Sequence, residues 1–306
     1  MMQKEYLSCR LCPRLCGADR TQRAGRCGGG ARTLVAAASL HKWEEPCLAG
    51  ERGAGAVFFS GCSLGCVFCQ NREISIEKKG EEVTVSELAD IFCRLEEAGA
   101  ECLDLVTATH FAPSVFAALD IARPKIPVVW NTGGYECPDR IPELCRHIDV
   151  YMPDIKYFSS DLSSELSGAE DYFENAMASL SAAVDALGEC VFDERGIMRR
   201  GVILRHLVLP SCREDSAEIL RAVKKEIDVS KIRISLMSQF TPMFPDKLPK
   251  KLQRRLTSFE YGYVCRVAEE LGYSGWVQER SSANKDYLPD FDLTVLGTPI
   301  KEGKHE

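Results

Sequence analysis

Three cysteines directly after an apolar run could bind a metal centre. Cys62, Cys66 and Cys69 have the spacing C-x3-C-x2-C in the stretch GCSLGCVFCQN, and they follow the predicted strand AVFFSG. Three thiolates on one short loop suit a soft metal ion or a four-iron cluster, and a cluster with three protein ligands keeps one iron open for a substrate or cofactor. A closed zinc site takes four ligands, and no fourth lies nearby in the sequence. The triplet therefore favours an iron–sulfur cluster that takes part in chemistry.

Four more cysteines form a second group near the N-terminus. Cys9, Cys12, Cys16 and Cys27 have the spacing C-x2-C-x3-C-x10-C, in a glycine-rich stretch that is too short to fold by hydrophobic burial. Bound metal would order such a segment. Zinc and an auxiliary iron–sulfur cluster both accept four thiolates. The spacing therefore predicts a second metal site and leaves its metal open.

Polar residues also stand at the ends of several predicted strands. Thr107 and Thr109 in LDLVTAT share one face of a strand by the two-residue period, and the same period places Asp154 and Lys156 of MPDIK on one side. A carboxylate and an ammonium are tolerated at a buried strand end only when they are paired or bound to a ligand. Plain β-propensity is the alternative explanation for the threonines, and a surface ion pair is the alternative for Asp154 and Lys156.

Three further strand ends carry candidate binding residues. Asn131 and Thr132 end the strand IPVVWNT, just before two glycines that would let a ligand approach the backbone. Arg205 interrupts the apolar run ILRHLVLP, where only one of Arg205 and His206 can face the interior. A guanidinium at this position is suited to bind a carboxylate through two hydrogen bonds. Gln239 in SLMSQF ends the sixth predicted strand.

The elements that position these residues alternate between strand and helix along the chain. Six strand-then-helix units within residues 55 to 280 predict parallel strands joined by crossovers. A closed eight-unit barrel takes about 250 residues, so we predict an α/β fold with a partial (β/α)6 TIM-like barrel. A doubly wound sheet is the rival, but its first turn would be rich in glycine, and here that turn holds the cysteines.

The same patterns divide the chain into three parts. We predict a Cys-rich and loop-rich cap at 1–50, the partial barrel at 51–280 and an extended tail at 281–306. Within the barrel, helices are predicted at 171–187, 214–227 and 253–271, and a small hairpin at 190–202.

Composition narrows the classes of function. Of 306 residues, 45% are hydrophobic and 27% are charged, as in ordinary globular proteins, which excludes a disordered chain. No apolar run is long enough to span a membrane, and none marks the N-terminus for secretion. We therefore expect a cytoplasmic protein whose fifteen cysteines serve metal binding, catalysis or packing rather than disulfides. The net charge of −7 argues against binding to nucleic acid.

The motifs together resemble a known family of enzymes. The cysteine triplet, with Phe68 directly before its last cysteine, resembles the signature of radical S-adenosylmethionine (SAM) enzymes. The strand-end segments LVTATH, NTGGYE, PDIK and LRHLVLP and the N-terminal CRLCPRLCG look like the PflX-type branch of the pyruvate formate-lyase activating enzyme family. This resemblance implies a [4Fe-4S] cluster on the triplet, whose open iron binds SAM and whose electron cleaves it to methionine and a 5′-deoxyadenosyl radical. It also implies an electron donor such as flavodoxin or ferredoxin.

The resemblance further implies which residues serve the cofactor and what the target is. Asp154 and Lys156 match the Asp-x-Lys that lies at the cofactor and substrate site in activating enzymes. The residues implied to bind SAM are Phe68, Thr107, Thr109, Asn131, Thr132, Asp154, Lys156, Arg205 and Gln239. The expected target is a glycine of a partner glycyl-radical enzyme, and a small molecule such as a sugar is the alternative. A non-catalytic iron–sulfur or zinc protein is a third alternative, which leaves the strand-end residues unexplained.

Overall fold

One sheet organises the computed structural model, which describes residues 2–278. Its strands are β1 (Thr33–His41), β2 (Ala54–Phe59), β3 (Glu81–Val83), β4 (Leu103–Val106), β5 (Val128–Thr132), β6 (Val150–Pro153), β7 (Val191–Phe192), β8 (Met198–Leu207), β9 (Ile232–Met237) and β10 (Gly275–Val277). The main path of the sheet runs β10-β9-β8-β6-β5-β4-β2-β1-β3, and β7 pairs with β8 at one end of that strand.

Most neighbouring strands in this sheet are parallel. The pairs from β2 through β4, β5, β6, β8 and β9 to β10 are parallel, whereas β1 is antiparallel to both β2 and β3. Every residue of β2, β5 and β6 is buried, as expected for parallel strands that are covered on both faces. The predicted α/β class with a mostly parallel sheet is confirmed, while closure into a partial barrel stays a prediction.

Helices connect the parallel strands, and their starts follow local capping chemistry. Thr257 accepts a hydrogen bond from the backbone of Glu260, whose carboxylate in turn accepts from Thr257, and Thr84 and Glu87 form the same reciprocal pair. The helices are α1 (Met2–Leu7), α2 (Pro46–Ala49), α3 (Arg72–Ser75), α4 (Val85–Glu97), α5 (Ala112–Ala122), α6 (Ile141–Leu144), α7 (Ser160–Ser167), α8 (Tyr172–Leu187), α9 (Arg213–Glu226) and α10 (Ser258–Glu270). The last three match the three predicted helices, although α10 begins five residues later than the predicted 253 because its cap lies at Thr257.

The N-terminal part differs from the expected loop-rich cap. β1 is a nine-residue strand that joins the main sheet, so the predicted boundary at residue 50 cuts through the pair formed by β1 and β2. The sequence TLVAAASLH gave no strand signal because alanine has a low preference for strands and offers little hydrophobic contrast. The predicted hairpin at 190–202 is present as β7 and β8. The predicted tail at 281–306 lies outside the described residues.

The topology brings six strand ends to one edge of the sheet. The carboxyl ends of β2, β4, β5, β6, β8 and β9 lie along that edge because these strands are parallel neighbours, and ligands of open α/β sheets bind there. Among residues 2–278, no helix is both long and apolar enough to cross a membrane.

Candidate active site at the carboxyl edge of the sheet

A cavity of about 210 Å³ lies at this edge. We call it the cysteine cavity. Of the residues that the sequence pointed to, it is lined by Cys62, Cys66, Phe68, Cys69, Thr107, Asn131, Thr132, Asp154, Lys156, Arg205 and Gln239. Residues from six separate strand ends therefore meet in one space.

The cysteine triplet sits on the loop that follows β2. Gly61 opens this loop with a φ of +87°, and a Cβ there would lie 2.5 Å from the carbonyl oxygen of Cys27, so glycine is required. The triplet sulfurs have hydrogen-bond donors nearby: the backbone N of Leu64 lies 3.4 Å from Cys62 Sγ, Ser167 Oγ lies 3.0 Å from Cys66 Sγ, and Ser75 Oγ lies 3.2 Å from Cys69 Sγ. Such donors stabilise sulfur in its thiolate form.

The chemistry of the triplet fits a four-iron cluster. Burial, followed by repulsion from Cys66, raises the pKa of the Cys62 thiol to about 12. The Cys62 thiol therefore needs a strongly positive centre in order to lose its proton. Among residues 2–278, no three His, Cys, Asp or Glu side chains are grouped so that they could hold a metal ion. A cluster is larger than one ion and is bound by thiolates at separate irons, so the donor set fits a cluster better than zinc.

A buried charge network in the wall of the cysteine cavity consists of Asp154, Lys156 and Arg205. β6 ends at Pro153, and Asp154 continues its pairing with β8 opposite Arg205. Asp154 Oδ2 accepts a hydrogen bond from Lys156 Nζ, and its Oδ1 accepts one of 2.9 Å from Arg205 Nε. Although burial opposes ionisation, Lys156 and then Arg205 hold the pKa of Asp154 down at about 2. The pair is therefore an internal ion pair and not one on the surface.

Sequence reasoning missed the carboxylates on the other side of Arg205. Its Nη1 donates a 2.8 Å hydrogen bond to Glu44 Oε1 and lies near Glu45, with a nitrogen to oxygen distance of 3.8 Å. Arg205 thus already has protein carboxylates as partners, whereas the sequence suggested that it would bind a carboxylate of the cofactor. The contact joins residues 161 positions apart, so no local pattern could reveal it. A charged residue inside the otherwise apolar strand LDLV, Asp104, could have indicated a buried charge cluster, since it neighbours Glu44 in the structure.

The two threonines predicted on one strand face are separated in the structure. β4 ends at Val106, and Thr107 has a left-handed φ of +63° and lines the cavity. Thr109 begins a short 3-10 helix and donates to the buried carboxylate of Glu136 instead of lining the cavity. Glu136 also accepts hydrogen bonds from Thr132 Oγ1 at 2.6 Å and from Trp130 Nε1 at 3.3 Å. The prediction of a shared strand face for Thr107 and Thr109 is wrong because the strand stops one residue before Thr107.

The remaining predicted residues complete the walls. His206 is buried and its Nδ1 lies 2.6 Å from the carbonyl oxygen of Ile155, so it is Arg205 that faces the cavity. Phe68 packs against Tyr157 and Phe240. Gln239 Oε1 accepts a hydrogen bond of 3.1 Å from Gln278 Nε2, and its carbonyl oxygen accepts one of 3.2 Å from Gln70 Nε2.

The N-terminal cysteines lie against the triplet loop. Cys9, Cys12 and Cys27 are buried and Cys16 is partly exposed. The side chains of Cys9 and Cys16 are hydrogen-bonded to each other, and the sulfurs of Cys16 and Cys27 both lie beside Gly25. The backbone N of Cys62 donates a 3.0 Å hydrogen bond to the carbonyl oxygen of Cys27. The structure therefore places the second cysteine group directly beside the first.

Comparisons with known proteins agree with this site. Residues 56–199 match the family model of the radical SAM superfamily. The chain is 26% identical over 275 residues to MJ0674, an uncharacterized protein of Methanocaldococcus jannaschii, which covers 87% of this chain and 75% of that protein.

Two solved structures are also similar. A radical SAM methyltransferase from Sphaerobacter thermophilus aligns with a TM-score of 0.51 at 13% identity, over 74% of this chain and 66% of that one. SuiB of Streptococcus suis aligns with a TM-score of 0.44 at 12% identity, over 72% of this chain and 47% of SuiB. The chain thus spans just under two thirds of the methyltransferase and about half of SuiB. The first alignment shows a shared fold. Cys62, Cys66, Cys69, Asp154 and Lys156 all fall within the residues that match the radical SAM superfamily model.

Proposed function

We propose that this protein is a radical SAM enzyme that cleaves SAM reductively and removes a hydrogen atom from a target outside its own chain. The observation that carries the proposal is the convergence of the cysteine triplet with Asp154 and Lys156 in one cavity. When bound, the cluster and SAM supply the electron and the 5′-deoxyadenosyl radical that this chemistry requires. The protein supplies position, charge and exclusion of water.

The protein residues have distinct tasks in this proposal. Cys62, Cys66 and Cys69 hold the cluster and leave one iron open. Lys156 lies close enough to Cys66 and Cys69 to interact with both electrostatically, so its ammonium offers a partner for the carboxylate of SAM. Asp154 fixes that ammonium and keeps it charged, since Asp154 raises the pKa of Lys156 against the effect of burial.

Apolar side chains line part of the cavity beside these charges. Phe68 and Leu64 are buried and line the cysteine cavity. Gly134 lets the loop after β5 close on β6, because a Cβ there would lie 2.2 Å from the carbonyl oxygen of Asp154. A close apolar wall protects a reactive intermediate from side reactions with solvent.

The test is cleavage of SAM by anaerobically reconstituted protein under a strong reductant. We expect 5′-deoxyadenosine from the wild type and none from a variant with Cys62, Cys66 and Cys69 changed to Ala. A matched variant with Cys93, Cys145 and Cys265 changed to Ala should retain both the product and the cluster absorbance. Product from the first variant would refute the assignment of the cluster ligands.

We further propose that the target is the α-carbon of a glycine in a partner glycyl-radical enzyme. The resemblance of the strand-end segments to activating enzymes supports this target. Incubation with reductant, SAM and such a partner should produce a glycyl doublet in the EPR spectrum. A compact polar substrate is the second candidate, favoured by a second, polar cavity that shares Asn131, Arg205 and Gln239 with the cysteine cavity. Transfer of deuterium from a labelled small molecule into 5′-deoxyadenosine, with no doublet, would identify that second case.

We also propose that Cys9, Cys12, Cys16 and Cys27 hold a second metal centre. The proximity of Cys16 to Cys9 and to Cys27 supports a shared ligand set. As for the triplet, the spacing of these ligands fits a cluster better than a single zinc ion, so metal analysis of the variant that lacks the cysteine triplet should find residual iron. A folded sample without iron would refute this second centre.

A further inference from the structure

A second cavity of about 130 Å³ adjoins the cysteine cavity on the side of β1. We call it the acidic cavity, because Glu44 and Glu45 line it together with His41 and Trp43. Asn131, Arg205 and Gln239 line both cavities. The two cavities are therefore neighbouring parts of one space, and a substrate in the second would lie beside the proposed SAM site.

Carboxyl groups outnumber cations around Arg205. Within residues 2–278, four carboxyl groups lie against its guanidinium or against one another, and two cations lie among them. With every group ionised, the set would carry an excess of two negative charges. The carboxyl groups are those of Glu44, Glu45, Asp104 and Asp154, and the cations are Arg205 and Lys156. His41 adds no positive charge near neutral pH, because burial and Arg205 lower its pKa to about 4.

A buried carboxylate lies in the same wall. Asp104 is fully buried, and its Oδ2 accepts a 3.2 Å hydrogen bond from Asn131 Nδ2. Among the described residues its Oδ1 lacks a donor unless the Glu44 carboxyl, which is hydrogen-bonded to Asp104, holds a proton. Asp104 shares a strand face with Val106, which lines both cavities. A buried acceptor without a donor is costly, so once Glu44 is ionised this wall lacks a donor that a ligand would supply.

The protein alone neutralises the excess charge by holding protons. Burial, followed by repulsion from Asp104, raises the pKa of Glu44 to about 7, and burial, followed by repulsion from Glu44, raises that of Glu45 to about 8. The two carboxyl groups are hydrogen-bonded to each other. A cationic ligand would replace those protons and satisfy both carboxylates.

We propose that the acidic cavity receives a positively charged nitrogen group of the substrate, an ammonium or a guanidinium, with Glu44 and Glu45 as its partners. The inference rests on the proposed radical SAM function of the adjoining cavity. The indole of Trp43 lines the same space and can interact favourably with a cation through its ring face. The charged group would belong either to a free amine or to a side chain next to the reacting residue of a peptide.

Binding of matched charged and neutral probes tests the proposal. The full chain, with its cluster reconstituted and SAM present, is titrated anaerobically with n-butylamine, n-butylguanidine and the neutral n-butanol by calorimetry. Two glycine-containing peptides that differ only in arginine against its neutral analogue citrulline form the second arm. We expect at least one charged probe to bind about tenfold or more tightly than its neutral match. Tighter binding of n-butylamine or n-butylguanidine than of n-butanol would identify a small substrate. Tighter binding of the arginine peptide than of the citrulline peptide, without a preference among the small probes, would identify a peptide substrate.

Variants locate the binding site. Glu44→Gln and Glu45→Gln, singly and together, should abolish the charge preference, whereas Glu51→Gln on the exposed surface should keep it. Equal binding of charged and neutral probes by the wild type would overturn the proposal, as would displacement of the amines by Na⁺, K⁺ or Mg²⁺ at similar concentrations. Loss of SAM affinity in the Gln variants as large as the loss of amine affinity would assign the carboxylates to SAM instead.

The two proposals fail in distinguishable ways. Formation of 5′-deoxyadenosine is measured on the same samples without any probe. If the wild type makes it but shows no charge preference, the cationic substrate is wrong and the radical SAM function stands. If charge preference is present without SAM cleavage, the proposed function is wrong and the cation-binding cavity stands.

Discussion

Replacement of Arg205 by Met should reveal how far one guanidinium stabilises the carboxylates around it. Its Nη1 lies 2.8 Å from Glu44 Oε1 and its Nε lies 2.9 Å from Asp154 Oδ1. The three side chains keep between 8% and 16% of their surface exposed, so solvent does little to screen them. Loss of one partner from a buried ion pair costs about 3–5 kcal/mol when it leaves the other charge uncompensated. We expect a cost of this size in the free energy of unfolding at pH 8.

The cost should shrink at lower pH, and the sign follows from the pKa shifts. The pKa values of Glu44, Glu45 and Asp104 are raised to about 7, 8 and 6, so the folded protein holds protons that the unfolded chain releases. Their favourable effect is complete below their unfolded pKa values and is lost as the pH rises toward 8. At pH 5.5 the protonated groups no longer need a cation, and only the bond to Asp154 is lost. That loss should cost about 1–3 kcal/mol.

Urea unfolding of the full chain, under reducing conditions and without iron, measures both values. Arg221→Met is the control, because Arg221 pairs with Glu218 at 2.6 Å but both side chains are nearly half exposed. Such surface pairs contribute less than about 1 kcal/mol, with little change between the two pH values. An Arg205→Met cost below that of the control at pH 8, or an equal cost at both pH values, would refute the buried network.

Three further substitutions test other parts of the site and fold. Asp154→Ala and Lys156→Ala should each weaken SAM binding to the reconstituted protein by about 1.5–3 kcal/mol, a factor of ten or more, and unchanged affinity in both would place these charges outside the cofactor site. Glu136→Ala should lower the free energy of unfolding by about 1–3 kcal/mol more than Glu136→Gln, since only Gln keeps an acceptor for the buried threonine and tryptophan donors; equal values from urea unfolding would contradict this role. Thr257→Ala should cost about 1 kcal/mol through the lost cap of α10, and Thr257→Ser should restore most of it in the same assay.

The sequence predicted those features that depend on neighbours along the chain. The spacing of Cys62, Cys66 and Cys69 specifies one loop, and the parallel sheet follows from the alternation of strands and helices. The period of two also placed Asp154 and Lys156 together. The same period failed for Thr107 and Thr109, because β4 ends at Val106, Thr107 takes a left-handed φ of +63°, and Thr109 turns to the buried carboxylate of Glu136.

Features that depend on distant pairing could not be predicted. Glu44 and Glu45 follow β1, whose last residue His41 pairs with Ala54 at the start of β2, so the two carboxylates reach Arg205 from a loop that begins at the amino ends of the parallel strands. A strand of small residues gives too weak a pattern to predict that pairing. The sequence therefore could not predict that the residues of the acidic cavity lie together.

Arg205 links the two cavities because its guanidinium lines both. It donates to Asp154 beside Lys156 and to Glu44 beside Glu45, so it has partners on each side. A ligand that engages Arg205 or its carboxylates from one cavity changes the charge that a ligand in the other cavity meets. Coupling between two binding sites is reciprocal, so whatever SAM does to binding in the acidic cavity, a ligand there must do to SAM binding by the same factor. A cation beside Glu44 would weaken the hold of that carboxylate on Arg205 and strengthen the pairing of Arg205 with Asp154. Lys156, which shares Asp154, would then be freer to meet the carboxylate of SAM in the proposed site. In that proposal the network favours binding of a cationic substrate and SAM together over binding of either alone.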